Sequence, residues 1–142
     1  MKRKTSAGLF ITCLAVILAV VGVAAYMVNT GTNYYAKMGV DNNVVTLLVA
    51  AIVVEVLAIV IGLKGTPVIG DILPVAGSVL LTAGLVMLVN ARANNLAAVF
   101  TFENSAANMA DTTSCIVAIG ACLLAMLVSL VAAFTDITKE AA

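Results

Sequence analysis

Residues 44–62 read VVTLLVAAIVVEVLAIVIG, an apolar run interrupted by one ionisable side chain, Glu55. A helix rises about 1.5 Å per residue, so a run of this length matches a hydrocarbon core of roughly 30 Å. The apolarity is continuous rather than alternating. In lipid, where every backbone polar group needs an internal partner, that pattern selects a helix over a barrel strand. Three similar runs flank it: Gly8 to Val28, Ile72 to Ala91 and Thr113 to Phe134. The expectation is an all-α, transmembrane, antiparallel four-helix bundle, one domain over residues 1–142, with helices near 8–28, 44–62, 72–91 and 113–134.

Composition agrees, because 63% hydrophobic and 10% charged residues in a chain of 142 exceed what a soluble domain can hide. The lipid bilayer is the expected partner. Net charge is zero, and no basic patch exists beyond the first four residues, which argues against nucleic acid. The chain has no His, no CxxC, no phosphate-cradling glycine loop and no closely paired carboxylates, so neither catalysis, a metal nor a cofactor is expected. Cys115 and Cys122 fall about two turns apart on one helix, roughly 10 Å, too far for an internal disulfide. With Cys13 they read as small packing residues.

Basic residues set the expected orientation. Lys2, Arg3, Lys4, Lys64 and Lys139 fall on one side and Lys37 and Arg92 on the other, which places both termini in the cytoplasm of a bacterial plasma or inner membrane. All nine Asn (29, 33, 42, 43, 90, 94, 95, 104, 108) lie in or beside the two outer segments. Met1 to Lys4 resembles a secretory n-region, but the apolar run that follows is longer than an h-region and reads as an uncleaved anchor.

Small residues recur at steps of four and three. Helix one shows Gly8, Thr12, Ala15, Ala19 and Gly22; helix four shows Cys115, Ala118, Cys122, Ala125, Ser129 and Ala132; helix three shows Gly77, Gly84 and Ala91. Spacing that averages 3.5 residues draws one stripe along a helix, and small side chains on it let backbones approach, which predicts a compact left-handed bundle. In helix two the stripe is Ala51, Glu55, Ala58 and Gly62, so the acid points inward.

An ionisable group near the bilayer centre costs at least about 2.5 kcal/mol on insertion scales. With no buried cation at its depth, Glu55 is expected as the neutral acid, donating to a hydroxyl or carbonyl. Ser78 and Thr82, four residues apart on helix three, are the first candidate partners, with Cys122 and Ser129 at similar depth. Two roles compete for it: a hydrogen bond that holds helices or subunits together, and a proton or cation site in a small transporter.

Between the helices, Leu63 to Asp71 carries Gly65, Pro67 and Gly70 and reads as a tight inner turn, with Pro74 in the first turn of helix three. The first outer segment, Asn29 to Asn43, holds Tyr34 and Tyr35, expected in an interfacial aromatic belt. The second, Arg92 to Thr112, either extends helix three or lies along the headgroups, and Asp111 or Thr112 suits the N-cap of helix four. Tyr34, Tyr35, Asn94 and Asn95 form a candidate outer binding face, with a solvated loop as the alternative.

The stretch Phe100 to Ile119, FTFENSAANMADTTSCIVAI, resembles uncharacterised four-span membrane proteins of Gram-positive bacteria. That resemblance covers a small part of the chain and implies a location without an activity. A four-span chain with one buried acid also looks like small multidrug transporters, but those place the acid in helix one beside Trp, and this chain has no Trp. The reading is an accessory or interaction protein, with a homo-oligomer or a partner membrane protein as its company.

Overall fold

A computed structural model describes residues 3–5, 7–36, 39–64, 67–135 and 138–140. Apart from two three-residue strands the described chain is helical: β1 (Arg3–Thr5), α1 (Ala7–Thr30), α2 (Asn42–Lys64), α3 (Pro67–Thr101), α4 (Ala106–Ala133) and β2 (Thr138–Glu140). Four helices are long and apolar enough to cross a membrane. Lys2, Lys37 and Gly65, which entered the reading of charge and turns, lie outside the described residues.

The helices form a bundle in which α1 packs chiefly on α4 and α2 chiefly on α3, with α3 and α4 making the seam between the two pairs. Each helix buries a stripe at steps of four and three. In α1 it is Gly8, Thr12, Ala15, Ala19, Gly22, Tyr26 and Asn29, and in α2 it is Val44, Leu48, Ala51, Glu55 and Ala58. In α4 the same spacing runs through Thr112, Cys115, Ala118, Cys122, Ala125, Ser129 and Ala132. The α3 seam differs from the Gly77, Gly84 and Ala91 stripe. Its buried residues include Ser78, Leu81, Leu85, Leu88 and Arg92, with Gly77 and Gly84 buried beside them and Ala91 half-buried.

Small residues bring backbones together where the stripes cross. A Cβ on Gly22 would lie 2.5 Å from Cys122 Sγ, so α1 and α4 can sit this close only without a side chain there. The outside is the reverse of a soluble protein. Phe10, Ile17, Val28, Val53, Val79, Val86 and Leu124 are all exposed, an apolar girdle that hydrocarbon solvates and water does not.

Several boundaries depart from the sequence reading. Helix α3 has 35 residues, about 52 Å, and begins at Pro67; of the two readings of the second outer segment, the extension of helix three is the one found, as far as Thr101. Pro74 is therefore interior to α3 rather than in its first turn. Helix α4 starts at Ala106, capped by Ser105, whose hydroxyl accepts from the Asn108 N–H at 3.2 Å. Asp111 and Thr112 lie inside that helix and spend their side chains on the first outer segment instead. The strands were not expected. β1 pairs antiparallel with β2, with Lys4 opposite Lys139, so the two chain ends meet.

Candidate functional site

Polar side chains inside the bundle gather at two levels. At the first, Glu55 on α2 is buried with 1% exposure. Its Oε1 is hydrogen-bonded to Ser129 Oγ of α4, and Ser129 Oγ lies 2.8 Å from Ser78 Oγ of α3. Ser78 Oγ also reaches the Pro74 carbonyl at 3.0 Å, one turn back along its own helix. Glu55, Ser129 and Ser78 thus form a chain that crosses three helices. Gly77 makes room for it, because a Cβ there would fall 2.5 Å from Glu55 Oε1.

Of the two partners expected for Glu55, Ser78 is reached through Ser129, and Thr82 is not reached. Thr82 is exposed and donates back to the Ser78 carbonyl at 2.8 Å. It lines an open apolar groove of about 460 Å³ between α3 and α4, together with Val75, Val79, Leu130 and Phe134. Glu55 Oε2 is buried and makes no hydrogen bond among the described residues.

The second level lies at the opposite end of α1 from Ala7 and was not anticipated. Asn29, fully buried, accepts from Arg92 Nε at 3.0 Å and points its amide nitrogen at Ser114 Oγ, 3.2 Å, and the Asp111 carbonyl, 3.4 Å. The Arg92 guanidinium is stacked over two rings, 5.3 Å from the Tyr26 centroid and 5.2 Å from that of Tyr35. A buried cation is stabilised by the negative faces of aromatic rings and by hydrogen bonds. Arg92, on the outer side by the division of basic residues, is carried by α3, whose extension into the second outer segment buries it at 2% exposure. The signal was available: the four-three stripe of α1, continued past Gly22, reaches Tyr26 and Asn29.

The loop after α1 is clasped to α4 and to the end of α3. Tyr34 N–H donates to Asp111 Oδ2 at 3.0 Å, Tyr35 Oη and Thr112 Oγ1 are 2.9 Å apart, and Tyr34 Oη donates to Glu103. The Asp41 N–H donates to Tyr26 Oη at 2.8 Å. That hydrogen bond to Glu103 pushes the Tyr34 phenol up to about 12, and burial pushes Tyr35 up. Tyr35 is fully buried rather than in an interfacial belt, while Tyr34 is half-buried, Asn94 exposed and Asn95 half-buried. The four residues of the candidate outer face therefore do not present one surface.

Cys13, Cys115 and Cys122 are free thiols. Among the described residues no group of three His, Cys, Asp or Glu side chains could hold a metal. Fold and interior define the class only coarsely: a helical bundle with four candidate membrane spans and two buried polar levels. No protein family, characterised protein or solved structure matches the chain.

Proposed function

We propose that this is a small multi-pass protein of the cell membrane, an antiparallel bundle with both termini cytoplasmic, acting as an accessory or interaction protein rather than an enzyme. The observation that carries this reading is how the interior polar groups are used. Glu55, Ser129 and Ser78 bond one another across α2, α4 and α3, and Asn29, Arg92, Tyr26 and Tyr35 do the same at the other level. Groups committed to each other in this way hold helices in register. The apolar girdle is then left for lipid, a second copy or a partner helix. The pairing of β1 with β2 supports both ends lying on one side, as an even number of spans requires, and the basic-residue bias is what assigns that side to the cytoplasm.

Crosslinking and copurification from native membranes test the role, with single-cysteine labelling at residues 2 and 139 to test the sidedness. A constant membrane companion or a discrete homo-oligomer, with both labels on the cytoplasmic side, is the expected result. A strictly monomeric chain with no companion overturns the interaction role.

The second reading is a small proton- or cation-coupled transporter using Glu55. It is favoured by Glu55 Oε2, a buried oxygen without a hydrogen bond among the described residues. Acid-driven flux in proteoliposomes that disappears in Glu55→Gln would establish it.

A further inference from the structure

The chain through Glu55 contains three oxygen-to-oxygen contacts: Glu55 Oε1 to Ser129 Oγ, Ser129 Oγ to Ser78 Oγ at 2.8 Å, and Ser78 Oγ to the Pro74 carbonyl at 3.0 Å. Each contact needs one hydrogen. A serine hydroxyl supplies one and a carbonyl none, so an ionised Glu55 leaves two hydrogens for three contacts. The order of the chain makes the shortage specific. If Ser129 donates to a carboxylate and Ser78 donates to Pro74, the two hydroxyl oxygens face each other with lone pairs alone. A third hydrogen, on the carboxyl group, satisfies all three.

We infer that Glu55 Oε1 is a proton-binding site, and that the neutral carboxylic acid donates to Ser129, which donates to Ser78, which donates to the Pro74 carbonyl. A second observation points the same way. Glu55 Oε2 is buried without a hydrogen-bond partner among the described residues. As a formal anionic oxygen that exposure to an apolar interior is costly, whereas as the carbonyl oxygen of an acid it forfeits one neutral hydrogen bond. Among the described residues no ion pair replaces the proton. The elements packed around Glu55 present Gly77 and Ser78 from α3 and Ser129 from α4. Among the described side chains, the remaining charged or titratable residues of the helices are Cys13 and Tyr26 on α1, Lys64 on α2, Arg92 on α3, and Asp111, Cys115 and Cys122 on α4. None has a hydrogen bond to Glu55.

The bound proton is thus the ligand that joins α2 to α4 and, through Ser129, to α3. Removing it reverses the chain: Ser129 turns its hydrogen to the carboxylate, Ser78 turns from Pro74 to Ser129, and the bond at Pro74 is lost. No covalent bond other than O–H is involved.

This inference rests on the reading of Glu55 as an interior hydrogen-bonding group, but its test does not depend on partners or flux. The chain has three Glu, at 55, 103 and 140, so full-length protein labelled with ¹³C at the Glu side-chain carboxyl and held in bilayers gives three signals. At neutral pH one signal is expected at the position of a protonated acid, with the matching infrared carbonyl stretch. Glu55→Gln should remove it while keeping the fold, because the amide N–H can donate to Ser129 in the same place. Ser129→Ala should raise the stretching frequency by taking away the acceptor. Three carboxylate signals at neutral pH in the wild-type chain would overturn the inference without reference to any variant. An acid signal unmoved by Ser129→Ala would overturn the direction of the chain.

Discussion

Arg92 Nε donates to Asn29 Oδ1 at 3.0 Å inside the bundle, tying the end of α1 to α3 where the two helices have no carboxylate to share. A guanidinium buried at 2% exposure depends on each of its hydrogen bonds. Asn29→Ala should cost about 3 kcal/mol, at the upper end for a buried donor left unsatisfied beside a charge. Arg92→Lys should cost a similar amount, because an ammonium cannot both stack between Tyr26 and Tyr35 and place a donor at Nε. Reversible unfolding in mixed detergent reads both values.

Two glycines separate close approach from helix propensity. Gly77→Ala should destabilise by about 1–3 kcal/mol, since its methyl group would meet Glu55 Oε1 at 2.5 Å. At Gly120 a Cβ meets nothing within 4 Å, so Gly120→Ala should be neutral or stabilise by up to about 1 kcal/mol. Parallel thermal melts of the two variants give the comparison.

The α1–α4 seam can be tested by rescue. Gly22→Ala drives a methyl group into Cys122 Sγ, while Cys122→Ala removes the sulfur. The double variant should recover most of the roughly 1–3 kcal/mol lost by Gly22→Ala alone. Additive losses in the double-mutant cycle would mean that the two residues do not touch.

Tyr34 provides a pH-dependent handle outside the spans. The neutral phenol donates to Glu103, which holds its ionisation at about 12 rather than 10. A raised value in the folded state means that the interaction is fully present below pH 10 and is lost as pH rises through 12. Tyrosinate absorbance should therefore titrate late, and Glu103→Gln should bring Tyr34 back toward 10.

The four-three spacing made the buried stripes of α1, α2 and α4 legible, including the inward face of Glu55, because small side chains at that period let helix backbones approach. What the period could not supply was the partner across the seam. Ser129 and Thr82 are both hydroxyls at similar depth, and only the rotation of α3 relative to α4 decides that Ser129 meets the acid. The second polar level escaped for a different reason. Asn29 and Arg92 open the two outer segments by polarity; Asn29 continues the α1 stripe, whereas the Gly77, Gly84 and Ala91 spacing expected for α3 misses Arg92 by one residue. Polarity does not mark the end of a helix, and α3 runs ten residues past Ala91, the boundary expected from its apolar run.

The role of Glu55 is measured directly by comparing Glu55→Gln with Glu55→Ala for unfolding in detergent and for pH-driven flux in proteoliposomes. Gln should leave the bundle as stable as the wild type, and Ala should loosen it by about 2–3 kcal/mol through the lost chain to Ser129. A Gln variant that is intact yet has lost an acid-driven flux shown by the wild type would contradict the structural role and make this residue a transport site.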